Sequence, residues 1–180
     1  ALRNTYSIAA ANMSLGGGEY TDPCDTDPRR LAVDNLVSAG IATVISSGNN
    51  GFVDAVGAPG CIPTAITVGA TTSQIPADQV ANYSNAVDFL DLLAPGSDIY
   101  SSVPGGGFES WGGTSMAAPH VTGAWAVLKS HTPTATVNLI LTHLRNTGID
   151  VYDSRNELTF PRIEVAGALG LDDPPGAFST

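Results

Sequence analysis

The sequence predicts an α/β fold built on a mainly parallel sheet, and three observations carry that prediction. Short, continuously apolar runs recur at 41–46 (IATVIS), 65–70 (AITVGA) and 89–96 (FLDLLAPG), the pattern of strands buried on both faces. A stretch of helical spacing at 31–39 (LAVDNLVSA), closed by Gly40, separates the first of these from an earlier apolar run at 7–15 (SIAAANMSL). Strand, helix, strand, loop, strand is the rhythm of parallel strands joined by crossovers.

The remaining elements follow in order. The run at 7–15 ends in three glycines, and IATVIS runs directly into SGNNG, a turn at the carboxyl end of a strand. A Pro/Gly-rich stretch precedes AITVGA. From Ser115 to Lys129 polar side chains are few, which suits a buried helix. Residues 134–146 read as a second, amphipathic helix, with Thr134 as N-cap and Leu139, Ile140 and Leu144 on one side. The final segment, LDDPPGAFST, reads as a loose tail at 171–180 behind one folded unit at 1–170. No internal repeat or linker divides the chain.

With 180 residues, the chain suits one domain that buries roughly two thirds of its unfolded surface. No apolar run approaches the roughly 18 residues of a membrane span. A net charge of −10 and a single lysine, Lys129, argue against nucleic acid or an anionic membrane as partner. Cys24 and Cys61 lie outside any CxxC or Cys/His spacing, so zinc is not expected. The chain opens on ALRNTYS, without initiator Met or leader pattern, and reads as a processed product or a cut piece.

Residues 112–120 (GGTSMAAPH) pose the chemical question. A serine at a helix N-terminus sits where orphan N–H groups and the positive dipole end would face a developing oxyanion. On local features alone Thr114-Ser115 reads as an ordinary N-cap before a buried helix, and it is the wider pattern that reverses this. Activation needs a base. His120, five residues on, lies about 140° round the helix from Ser115, and His131 and His143 lie further along. No Asp or Glu occurs in 116–143, which fails the order Ser, acid, His; no histidine precedes His120, which fails the order His, acid, Ser. Lys129 would lie roughly 21 Å along the helix. The order acid, His, Ser remains, with both partners ahead of residue 1.

At this point the sequence resembles the subtilisin-like serine proteases (subtilases). GTSMAAPHVTGAWAVL resembles the family's nucleophile helix, NMSLGGG at 12–18 its substrate-binding strand, and SSGNNG at 46–51 the loop with the oxyanion asparagine. GAPGCIPTAITVGAT and FLDLLAPG resemble the segments that follow, and coverage runs from about 6 to 169. The resemblance implies a sheet with helices on both faces, truncated at its N-terminal side, and peptide hydrolysis through an acyl-enzyme. Ser115 would be the nucleophile and Asn49 the oxyanion donor. Ser14, Leu15 and Gly16 would pair with extended substrate; Ser46, Ser47 and Gly48, with Gly57, Ala58 and Pro59 opposite, would wall the specificity pocket.

Asn50, rather than an acid, follows the oxyanion asparagine, so the pocket is expected to take apolar or medium neutral side chains. A secreted or extracellular enzyme is implied, with a Cys24–Cys61 disulfide. No cofactor is needed for the chemistry, although backbone carbonyls of Gly60, Ile62 and Ala65 resemble a minor cation position suited to structural calcium. The family's acid and histidine motifs are absent; DTD at 25–27 falls after the substrate strand, out of order. Besides a peptide or protein substrate, the expected partner is therefore the missing N-terminal part, or a second copy through the 7–15 strand. The rival reading is a non-catalytic remnant serving binding or assembly.

Overall fold

The computed structural model describes residues 5–73 and 79–170, so the predicted tail at 171–180 lies outside the described residues. Its strands are β1 (Ala10–Met13), β2 (Gly17–Tyr20), β3 (Ala42–Ser46), β4 (Val56–Ala58), β5 (Ile66–Thr71), β6 (Leu92–Pro95), β7 (Ile99–Ser102), β8 (Phe108–Trp111), β9 (Ile149–Asp153) and β10 (Leu158–Arg162). The helices are α1 (Arg30–Ser38), α2 (Thr114–His131), α3 (Val137–Thr147) and α4 (Val165–Ala168). The main sheet runs β1-β3-β5-β6-β10-β9, parallel from β1 to β10 and antiparallel only at the β9–β10 hairpin. The mainly parallel α/β prediction holds.

Alternation along the strands sends side chains to two layers. Val44, Ile66, Val68 and Leu92 pack with Val121 and Trp125 of α2 and Ile140 and Leu144 of α3, while Ile45 turns the other way, onto Val33 of α1. Helices thus cover both faces. The three central strands are buried at almost every residue, which is why their sequences read as unbroken apolar runs. Among the described residues β1 pairs only with β3, leaving its other edge open.

Three readings need correction. The N-cap of α3 is Thr136, whose hydroxyl accepts from Leu139 N at 3.2 Å; Thr134 lies two residues too early to reach that donor. Leu139 is 57% exposed, because the stripe that packs is Val137, Ile140 and Leu144, the i, i+3, i+7 set. The β7–β8 and β9–β10 hairpins were not foreseen. All four residues of β8 are exposed, and an exposed ribbon carries no apolar alternation to read.

Cys24 and Cys61 form a disulfide across 37 positions, supported by Cys24 N donating to Cys61 O at 2.9 Å. It ties the loop after β2 to the loop after β4. Closing a loop of that length restricts the unfolded chain by about 4 kcal/mol in the entropic treatment. Denaturant unfolding of Cys24→Ser/Cys61→Ser should show a stability loss of that order, and an unchanged midpoint would show that the cystine constrains nothing.

Asp91, at the foot of β6, is a buried carboxylate. Its Oδ2 accepts from Thr67 N at 2.7 Å and its Oδ1 from Arg145 Nη2. Burial pushes its pKa up to about 6, against the opposing pull of the Thr67 N–H and the Arg145 guanidinium. A carboxyl whose folded pKa exceeds its unfolded value binds more protons folded than unfolded in the interval between them. Its contribution to stability therefore declines as pH rises from about 4 to about 6. Over that interval the unfolding free energy of the unmodified chain should fall relative to that of Asp91→Asn; a constant difference would refute the raised pKa.

Candidate active site

Strand β3 delivers its carboxyl end into the loop 47–52, and a buried side chain decides that loop's shape. Asn85 Oδ1 accepts from Asn50 N at 2.9 Å and from Phe52 N at 3.1 Å, while its Nδ2 donates to Ser47 O at 3.2 Å. Asn85 N donates to Gly48 O at 3.0 Å, and Ser47 Oγ donates to Asn85 O at 2.9 Å. Gly48 has φ +110°, and a Cβ there would lie 2.4 Å from Asn85 Nδ2, so both the turn and the close approach require glycine.

Asn49 rides at the crest of this loop. Its Oδ1 accepts from both Thr114 N and Thr114 Oγ1, each at 2.8 Å. Because Thr114 N can only donate, the amide orientation is fixed: the oxygen faces α2 and the Nδ2 donor is left for the cleft. This contact also supplies the cap of α2, since Gly113 at the N-cap position has no side chain to provide one. Thr114 Oγ1 accepts from Gly48 N at 3.2 Å, closing the link between the loop and the helix. The helix start is set against β6 by Gly113 N donating to Gly96 O at 2.7 Å; a Cβ on Gly96 would lie 2.5 Å from Ala70 Cβ.

Ser115 is the second residue of α2, where the backbone N–H has no partner four residues back and the dipole end is positive. The proline within the helix, Pro119, lacks the N–H that would otherwise bond Ser115 O. Ser14 Oγ donates to that carbonyl instead, at 2.8 Å, so the segment after β1 is tied to the backbone of Ser115. Ser115 Oγ in turn faces Ser14 O at 3.4 Å.

A cleft of about 420 Å³ brings together Ser14, Leu15, Gly16, Ser46, Gly48, Asn49, Gly57 and Ser115 of the predicted residues. Three predicted wall residues do not line it. Ser47 is fully buried with its hydroxyl on Asn85, Ala58 pairs with Gly17 in the β2–β4 ribbon, and Pro59 is buried. Among the described residues no acidic side chain borders the cleft. The sequence reading missed Asn85 and Thr114 as organisers, because their partners lie 35 and 65 positions away.

None of the three histidines hydrogen-bonds Ser115. His120 borders a neighbouring recess of about 410 Å³ that Ser115 also touches, but its Nδ1 donates to Met116 O at 2.8 Å. His143 Nε2 donates to Ala168 O at 2.6 Å, and His131 ends α2, about 24 Å along the axis from Ser115.

At the suggested cation position two of the three carbonyls, those of Gly60 and Ile62, each accept one internal hydrogen bond. Gly60 O accepts from Thr67 Oγ1 and Ile62 O from Ala65 N at 2.9 Å, while Asp91, which shares Thr67 as a partner, already faces the Arg145 guanidinium. Among the described residues no group of three or more His, Cys, Asp or Glu is arranged to hold a metal.

The order and geometry of these segments match a known family: the subtilase family profile aligns with residues 7–167. The chain belongs to the subtilase family. It is 41% identical over 150 residues to a subtilisin of Bacillus pumilus, covering 82% of this chain and 51% of that one. An intracellular serine protease of Paenibacillus polymyxa is 42% identical over 122 residues, 66% of this chain and 35% of its own length. Among solved structures, a cold-adapted subtilisin-like serine proteinase superposes with a TM-score of 0.72 at 32% identity, covering 86% of this chain and 55% of that one. The chain thus spans from about a third to just over half the length of these relatives.

The Thr114–Asn49 contact yields a direct test. Thr114→Val removes the hydroxyl that donates to Asn49 Oδ1 and accepts from Gly48 N, leaving one of the two bonds that aim the amide. In an active assembly containing this chain, kcat should fall about 10-fold with little change in KM, the scale of one hydrogen bond. An unchanged kcat would mean that Thr114 does not orient the donor.

Proposed function

We propose that this chain supplies the nucleophile, the oxyanion donors and the peptide cleft of a subtilisin-like serine endopeptidase. The observation that carries the reading is the Asn49–Thr114–Ser115 arrangement at the mouth of the cleft. In this reading Ser115 Oγ attacks the scissile carbonyl. Asn49 Nδ2 and Ser115 N donate to the oxyanion, and the acyl-enzyme is then hydrolysed. Substrate backbone would lie along Ser14, Leu15 and Gly16 by strand-like pairing.

The proton acceptor is proposed to come from outside this sequence: a histidine and an acid on the N-terminal part of a subtilase domain. Two features support that partner. β1 has an open edge among the described residues, and the neighbouring face of α2 exposes Pro119, Gly123 and Val127, small or apolar residues suited to packing, beside His120. Pairing of two copies through β1 is the competing use of the same edge. The cleft's neutral lining, with Ser46, Gly48, Asn50 and Gly57 and no acid among the described residues, favours apolar or medium neutral substrate side chains before the scissile bond. The cystine favours an oxidising, extracellular setting. One observation favours a second reading, a non-catalytic remnant: no histidine among the described residues bonds Ser115.

A fluorophosphonate probe separates the two. The chain alone should label negligibly at Ser115, since an alcohol without a base stays protonated. Combined with a subtilase N-terminal portion carrying the acid and histidine motifs, it should label fast, and Ser115→Ala should abolish the signal. Absence of labelling in a folded combination would favour the remnant.

A further inference from the structure

The turn between β9 and β10 carries polar groups that no step of the proposed chemistry uses. Asp153 is 2% exposed, and its carboxylate is gripped by Arg155, Nε to Oδ1 at 2.9 Å and Nη2 to Oδ2 at 2.7 Å. Burial alone would push this carboxyl up, but the side-chain and backbone N–H donors of Arg155 outweigh it and hold the pKa below its ordinary value. The guanidinium plane is thereby fixed, and its remaining nitrogen points across to another segment. Arg155 Nη1 donates to Asn82 O and to Ser84 O, both at 3.0 Å. Beside it, Asn156 Nδ2 donates to Val53 O at 2.8 Å.

The Asn82 and Ser84 carbonyls belong to the stretch that holds the oxyanion loop. Gly51 N donates to Tyr83 O at 2.8 Å, and Asn85 follows with its bonds to Ser47, Gly48, Asn50 and Phe52. Segment 82–85 is therefore clamped on one side by Arg155, while on the other it sets the loop whose crest is Asn49. A carbonyl that bonds a fixed guanidinium resists peptide rotation, and Asn85 lies in the peptide that follows Ser84.

We propose that Arg155 is a positioning residue for the oxyanion donor Asn49, acting through Asn85. The inference rests on the peptidase reading above for its kinetic consequence, but its structural part stands on the chain itself. Arg155 touches no reacting atom. Its effect is on where the Asn49 amide sits when charge develops on the substrate oxygen, so its loss falls on kcat rather than on substrate affinity.

Two measurements test this. In the chain itself, Arg155→Ala should raise amide hydrogen exchange at Asn50 and Phe52 about 10-fold or more, with Arg155→Lys, which keeps a cation beside Asp153, lying between. In the active assembly Arg155→Ala should lower kcat about 10-fold with KM nearly constant. In an Asn49→Ala background the same change should cost less than about 2-fold, because the group being positioned is gone. Unchanged exchange at Asn50 and Phe52 overturns the proposal, as does an equal kcat loss with and without Asn49. If Arg155→Ala does not fold, Arg155→Lys carries both arms. An unmodified assembly that folds but shows no activity would count against the peptidase reading, and the exchange arm would still decide the role of Arg155.

Discussion

A carboxamide buried at the end of a parallel strand is the constraint on which the site depends. Asn85 satisfies backbone donors and acceptors of the loop 47–52 that would otherwise be left without partners in the interior. A buried amide that loses a partner costs on the order of 1–3 kcal/mol, so the loop has one well-satisfied shape. That shape requires glycine at 48 and places Asn49 against the first turn of α2. The donor that would face the oxyanion is thus aimed by structure already in place, the condition under which hydrogen bonds stabilise developing charge without reorganisation.

The helix and the substrate segment meet the same requirement by a different route. Pro119 withholds a helical hydrogen bond, and Ser14 fills the vacancy at Ser115 O. The cleft is bounded by backbone from the end of β1, the end of β3 and the start of α2, all at the carboxyl edge of the parallel strands, where open α/β sheets place their ligands. The fold provides position and polarity. The proton acceptor is the component that the bonds of Ser115 do not supply.

Much of this was legible in the sequence because burial leaves a trace. Strands β3, β5 and β6 are covered on nearly all sides, and their apolar runs announced them; α2, read as a buried helix, buries one face and exposes another at Pro119, His120, Gly123 and Val127, and family resemblance singled out GTSMAAPH and SGNNG as the candidate site segments. What was not legible is polar and long-range. Asn85 in YSNAV and Arg155 in DSRNE look like ordinary loop residues, and only the fold brings them to partners tens of positions away. Ser47 reads like its neighbour Ser46, yet strand alternation turns it inward, onto Asn85. The exposed β7–β8 ribbon left no hydrophobic period at all.

The central claim, that the fold presents Asn49 Nδ2 to a substrate oxyanion, is tested most directly by a crystal structure of this chain combined with a subtilase N-terminal portion and a peptide boronic acid bonded to Ser115 Oγ. The account predicts one boronate oxygen at about 2.7–3.1 Å from both Asn49 Nδ2 and Ser115 N, with Asn49 Oδ1 still on Thr114. An Asn49 side chain turned out of the cleft, or a boronate oxygen held by solvent alone, would contradict it.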